Sequence, residues 1–337
     1  MNIAIPTRPA DGDVVSVMPG LWWLRVPIPF KLDHVNVWLL EDGDGWTAID
    51  TGISSPRSKA IWRDVMSRHF GGKPLKRLLV THCHPDHVGL AGSLCTDTGA
   101  ELLMSRTEWL WTCWEQQISE AESRRLFADY IARVGLDEGV TWDEVYKGGT
   151  MAELTDVVPR RYHRVQNGDR LDIGGRTWQV MTGGGHSLEH VCLYCADASV
   201  LISADHVLPR ISPNIGVSQV EPESNPLGDF FDTLGTLAAL PADTLVLPSH
   251  NEPFEGLRQR IAEMVDHHTQ RLALVKDICH APKTIAEASR ELFPRQMFGY
   301  DIRLAANETW AHLNYLVGDG QILRWTDDAG TYRFQRA

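Results

Sequence analysis

A mixed α/β fold followed by a small helical unit is predicted by two features of this 337-residue sequence. Up to about residue 255, short apolar runs bounded by turn residues alternate with stretches of helical period, as in strands interleaved with helices. Beyond that point the strand-like runs give way to long helical periodicities and a final hairpin. The chain is long enough to bury one large core and a smaller one.

The elements follow in order. "GLWWLRVP", "VNVWLLED" and "GWTAIDTG" read as strands, with "EDGDG" as the hairpin loop between the last two. "SSPRSKAIWRDVMSRHF" reads as a helix opened by serines and a proline. "KRLLVTH" is a strand, "VGLAGSLCTDTG" a short helix closed by Gly99, and "AELLMS" another strand. A helical insertion over about 106–151, rich in Trp109, Trp111 and Trp114, then interrupts the strands. Such an excursion suits a lid or pocket wall. Strands resume at "DRLDIGGRTWQVMTGG", "HVCLYCAD" and "SVLISADHV"; "PLGDFFDTLGTLAALP" is a helix and "TLVLPSH" a last strand. The domain division is therefore 1–255 and 256–337, the second part being three helices and the hairpin "QILRWTDDAGTYRF", a winged-helix-like pattern.

Charge and cysteines narrow the function. A net charge of −12 disfavours nucleic acid and anionic membranes as partners, since both need a basic face. No run approaches a membrane span and no secretory signal is visible. The six cysteines do not form a disulfide framework, so a cytoplasmic setting is expected, and "CLYC" at 192–195 reads as buried structural thiols. A homodimer is the default assembly.

The chemistry gathers at "THCHPDHVG", residues 81–89. His82 and His84, two apart at a strand end, point the same way; Asp86 and His87 follow where Pro85 turns the chain into a helix. One tight turn can thus aim four ligands into one volume, a set that suits zinc, iron or manganese. Other strand-like runs end at Asp50, His186, Asp205 and His250, and strand ends are where a layered α/β fold builds a shared site. "GGGH" at 183–186 lacks a phosphate-loop pattern; its glycines are expected to let the backbone pass close to metal. Cys83 is expected to point away from its ligand neighbours.

With "THCHPDH" as H-x-H-x-D-H, and Asp50, His186, Asp205 and His250 flanking it in the expected order, the chain resembles the metallo-β-lactamase superfamily over roughly residues 15–255. The tail resembles the small helical domain that follows this fold in some of its hydrolases. The resemblance implies an αββα sandwich of two mixed sheets flanked by helices, and a binuclear centre. His82, His84 and His186 would hold one ion, Asp86, His87 and His250 the second, and Asp205 would bridge them. Zinc is the first choice, iron or manganese the alternatives. Asp50, His190 and His206 would support the ligands from behind. Asp86 and Asp205 would be catalytic, a metal-bridging hydroxide attacking the substrate while Asp86 orients it. An aspartate at 205 points away from antibiotic hydrolysis.

The leading expectation is therefore a glyoxalase II-like hydrolase of a small thioester, ester or lactone. The alternatives are a phosphodiesterase or ribonuclease, an iron-dependent persulfide dioxygenase, and a binding protein without turnover. No cluster of basic residues marks a glutathione carboxylate site. His34, Trp111 and Trp114 are candidate substrate-pocket residues, the tryptophans implying an apolar or aromatic acyl group.

Overall fold

The computed structural model describes residues 2–4, 8–136 and 139–337. Positions 137 and 138 of the expected insertion lie outside the described residues.

Two seven-stranded sheets face each other. The first contains β2 (Val14–Met18), β3 (Leu21–Pro27), β4 (His34–Asp42), β5 (Gly45–Ile49), β6 (Leu75–Leu79), β7 (Glu101–Met104) and β8 (His163–Arg164), in that spatial order. The second runs in the order β1 (Asn2–Ile3), β14 (Phe254–Glu255), β13 (Leu245–Pro248), β12 (Val200–Ala204), β11 (His190–Cys195), β10 (Arg176–Gly183) and β9 (Arg170–Ile173). Both sheets are mixed: β5–β6, β6–β7, β7–β8 and β12–β13 pair in parallel, the remaining neighbours antiparallel.

Three apolar clusters make the layers. Trp23, Trp38, Ile49, Leu79, Trp178, Leu193, Ile202 and Leu247 fill the space between the sheets. Strands β4, β5, β11 and β12 are buried on both faces, which is why they read as continuous apolar runs. A second cluster covers the outer face of the first sheet with α1 (Pro56–His69), α3 (Ala91–Thr98) and the Trp109 side of α4 (Arg106–Glu115). Helix α1 starts as expected: Pro56 opens it and the Ser55 hydroxyl accepts the Ser58 amide at 3.0 Å. The left-handed Gly99 (φ 76°) closes α3.

The third cluster covers the second sheet with α5 (Glu120–Val134), α6 (Trp142–Val145), α8 (Pro226–Ala238), α9 (Leu257–Ile278), α10 (Ile285–Leu292), α11 (Tyr300–Gly318) and the hairpin β15 (Ile322–Thr326)–β16 (Tyr332–Arg336). Helices α2 (Pro85–Val88) and α7 (Met151–Leu154) are single turns. Tyr130 of α5, Phe230 of α8, Met264 of α9, Trp310 of α11 and Phe334 of β16 share this one cluster. The expected boundary at 255/256 falls between β14 and α9, and the apolar core runs straight through it.

The sheet topology prepares a site at one edge. Parallel β5 and β6 end at Asp50 and at the loop 81–84; parallel β12 and β13 end at Asp205 and His250. The β10–β11 connection adds His186.

Candidate metal centre

His82, His84, Asp86, His87, His186, Asp205 and His250 converge on one buried volume. Three overlapping groups have ligand atoms within 4.8 Å of one another: His82–His84–His186, His82–His87–Asp205 and Asp86–His87–His250. The Asp86 Oδ2 lies 3.5 Å from His250 Nε2 and 3.6 Å from His87 Nε2. Asp205 reaches toward both sides, its Oδ2 at 3.4 Å from His186 Nε2 and 3.5 Å from His87 Nε2, its Oδ1 at 3.3 Å from His250 Nε2. A tetrahedral ion with bonds of about 2.0–2.1 Å sets its ligand atoms ~3.3 Å apart. The spacings match.

Hydrogen bonding fixes which ring nitrogen faces inward. The Nδ1–H of His87 donates to Asp50 Oδ2 at 2.9 Å, that of His250 to the His34 carbonyl at 2.8 Å, and that of His186 to the Asn214 carbonyl at 3.0 Å. His82 Nδ1 meets Thr81 Oγ1 at 3.0 Å, and that hydroxyl donates onward to Asp50. Each ring therefore presents Nε2 to the centre, while His84 turns its Nδ1 to within 2.8 Å of His82 Nε2. His87 Nε2, His186 Nε2, His250 Nε2 and Asp205 Oδ1 are buried without a hydrogen-bond partner. Orphaned buried acceptors are costly, and a shared cation satisfies all four. The donor set fits the metal pair that the resemblance implies.

The electrostatics agree. Burial and the neighbouring imidazoles push His84 down to about 3 and His82 well below its usual range, so both are neutral ligands. Burial also works against the charge on His87 and His250, but the surrounding carboxylates outweigh it and raise both. Asp205 is held well below the carboxylate range: burial opposes ionisation, and His250 and His87 overcome it. The carboxylates thus supply a field that favours positive charge at this point, and an arriving cation displaces the imidazole protons.

The residues expected around the ligands take different places. Asp50 accepts from the Thr81 amide at 2.8 Å, the Thr81 hydroxyl and His87, and sits in the left-handed region at φ 65°. Ala204 (φ 44°) and Asn251 (φ 67°) are likewise left-handed beside Asp205 and His250, so three strand ends store backbone strain at the centre. His190 packs its ring 4.9 Å from His82, and His206 packs on His190 and Phe230; neither falls in a ligand group. His34 is buried, with Nδ1 on Asp33 at 2.5 Å and Nε2 accepting the Asn251 amide at 3.1 Å. It braces His250 through its carbonyl instead of facing a substrate. Trp114 is 40% exposed and lines a shallow depression with Cys113, Gln117, Ile118 and Glu122, away from the ligands. Trp111 lies with its ring 5.1 Å from that of Trp114.

Two expectations about the backbone are settled by packing. Cys83 is buried as expected, and burial raises its thiol. The glycines of "GGGH" serve a neighbour other than the metal: a Cβ on Gly183, Gly184 or Gly185 would strike Thr233, Asp229 or Phe230 of α8 at 2.1, 2.8 and 2.5 Å. They let the His186 loop lie against that helix.

Sequence reasoning missed Glu108, Thr81 and Asn214. The buried Glu108 carboxylate accepts the Cys83 amide at 2.9 Å and the Glu189 amide at 2.6 Å, tying the loop of His82 and His84 to that of His186. Thr81 precedes His82 directly, so its position was a usable signal; Glu108 sits in a helical run and gave none. A further group, His267, His268 and Glu308, also has ligand-type geometry. Arg271 already supplies its cation, donating to His267 Nε2 at 2.9 Å and lying 3.6 Å from Glu308.

The profile described as the metallo-beta-lactamase superfamily matches residues 31–250, and that of the metallo-beta-lactamase-like C-terminal domain matches residues 272–337. A beta-lactamase domain protein from Burkholderia ambifaria, known from its crystal structure, is 41% identical with a TM-score of 0.91, covering 100% of this chain and 97% of that one. A hydroxyacylglutathione hydrolase of Rhodobacter capsulatus is 26% identical over 66% of this chain and 64% of its own length. An acyl-coenzyme A thioesterase of Bos taurus is 25% identical over 81% of this chain and 91% of its own. The chain thus spans less than two thirds of the hydroxyacylglutathione hydrolase it matches. No helix among the described residues is long and apolar enough to cross a membrane.

Proposed function

The chain belongs to the metallo-β-lactamase superfamily, and from that premise we propose that it is a hydrolase working with two divalent metal ions, zinc by preference, on a small thioester, ester or lactone. The observation that carries this reading is the set of inward-facing, unpartnered Nε2 atoms ranged around Asp205. His82, His84 and His186 would hold one ion and Asp86, His87 and His250 the other, with Asp205 shared. When bound, such a pair supplies an acidified water and polarises the scissile carbonyl.

The remaining work falls to side chains. Asp86 is the most accessible carboxylate of the centre, its side chain 16% exposed against 9% for Asp205 and 2% for Asp50. It is therefore the one that meets the attacking water, orients it and takes its proton. Asp205 keeps the two ligand groups in register, and Asp50 keeps His87 and Thr81 in place. A carbonyl substrate is supported by the net charge of −12, which repels polyanions, and by relatives named as hydrolase and thioesterase.

The test is metal analysis of protein purified without added metal, with assays on an acyl thioester, an aryl ester, a lactone and a bis-aryl phosphodiester. About two zinc ions per chain and carbonyl turnover are expected, with both lost in Asp205→Ala. One iron per chain with oxygen uptake on a persulfide, or turnover of the phosphodiester alone, would overturn the reading.

A further inference from the structure

Arg303 lies in the first turn of α11 and is half-buried. Its Nη1 donates to the Tyr146 hydroxyl, and its guanidinium stands 5.1 Å over the Tyr146 ring and 5.9 Å over that of Tyr130. Among the described residues it has no carboxylate within ion-pair distance, whereas Arg8, Arg25, Arg77, Arg271, Arg324 and Arg333 each have one. A partly desolvated cation normally keeps a counter-charge. Here phenols and aromatic faces replace it.

The surroundings connect this cation to the metal centre. Tyr300, three residues earlier on the same helix, shares its face. Tyr300 is 52% exposed, so its hydroxyl is open to a ligand beside Arg303. The Leu304 carbonyl, one residue on from Arg303, accepts the Asn214 side-chain amide at 3.4 Å, and the Asn214 carbonyl receives His186 Nδ1–H at 3.0 Å, which joins the start of α11 to a metal-facing residue. Glu115, the acidic group beside Arg303, is pushed by burial to about 7 and so only partly opposes its charge near neutrality. Lys31 pairs with Asp301 at 3.4 Å and ties the β3–β4 loop to the start of α11, with Phe30 (40% exposed) and Phe298 (71%) nearby on the two segments.

We propose that Arg303, with the hydroxyls of Tyr146 and Tyr300, is the binding site for a carboxylate on the substrate, remote from the scissile carbonyl, so that the substrate is an anionic acyl thioester or ester. This rests on the hydrolase reading above. A single planar guanidinium suits a carboxylate, which it can engage through two parallel hydrogen bonds. The site selects for one negative end, and the metal centre receives the carbonyl. The carboxylate can belong to the acyl group or to the departing thiol.

Two matched pairs of thioesters separate these sources. In one, a succinyl thioester of N-acetylcysteamine is compared with its methyl-capped form; in the other, an acetyl thioester of 3-mercaptopropionate is compared with its methyl ester. Wild-type protein should prefer the free acid in one pair. Arg303→Met should cut that acid-to-ester ratio of kcat/KM about tenfold or more, chiefly through KM, because a charge-assisted hydrogen bond is lost. Arg303→Lys should restore part of it. A ratio near one in wild type, or one that Arg303→Met leaves intact, sinks the carboxylate site even while hydrolysis stands. If neither these thioesters nor the aryl ester and lactone above are turned over, the hydrolase reading is what fails. The carboxylate site is then read by calorimetric titration with glutarate, which should bind wild type and fail to bind Arg303→Met; no binding to wild type overturns it.

Discussion

Glu108 places one buried carboxylate between two backbone amides from different loops, Cys83 at 2.9 Å and Glu189 at 2.6 Å. Its carboxylate ties the loop of His82 and His84 to the loop of His186 and so helps to set their distance. Replacing it by alanine leaves the buried Cys83 N–H unpaired, at about 1–3 kcal/mol, and the part-buried Glu189 N–H unpaired at a smaller cost. Glu108→Ala should therefore lower stability by roughly 2–4 kcal/mol and weaken metal binding on the order of tenfold or more, as loss of a supporting group does. Chemical denaturation and a competitive-chelator titration measure the two effects. Unchanged metal affinity in a folded variant would show that the loops hold their spacing without it. The neighbouring Asp50 shows why this scale was half legible. Its place at the end of "GWTAID" marked it in the sequence, whereas Glu108 lies in a helix whose period announces only packing.

At the scale of elements, α11 acts on the metal centre without contributing a ligand. The Asn214 carbonyl receives His186 Nδ1–H at 3.0 Å, while the Asn214 amide donates to the Leu304 carbonyl at 3.4 Å and to Glu308 at 3.3 Å. The loop 208–217, "LPRISPNIGV", is thus a strut between α11 and His186. Asn214→Ala keeps the carbonyl but cuts the strut. Metal affinity should fall about tenfold with little loss of secondary structure; affinity equal to wild type would mean that the loop is rigid by itself. The elements that carry strong periodicity were legible: α1 with its serine cap, α8, and the strands buried on both faces. Those that were not are two-residue strands such as β8 and β14, too short to alternate, and the start of α9, where Leu257 follows a left-handed Gly256 with no side-chain cap.

At the scale of the whole molecule, the ligands were legible because strand ends carried them. The Arg303 site was not, because Arg303 and Tyr146 stand 157 positions apart and only the folded core joins them. That core decides whether the C-terminal part is a separable domain. Phe127, Tyr130, Leu227, Phe230, Leu234 and Phe254 all precede residue 256, are no more than 5% exposed, and share one cluster with Met264, Trp310 and Phe334. Exposing those six side chains forfeits roughly 9–18 kcal/mol at about 1.5–3 kcal/mol each. A folded domain commands only about 5–15 kcal/mol in total. A chain ending at Gly256 should therefore fail to fold cooperatively although it retains all seven metal-facing residues. Near-UV circular dichroism and binding of an apolar dye give the readout, and the full chain should unfold in one thermal transition. Two separate transitions, or a native near-UV spectrum from the shortened chain, would show that the sandwich stands alone. In that case α11 would be an addition to a finished centre and not part of what holds it.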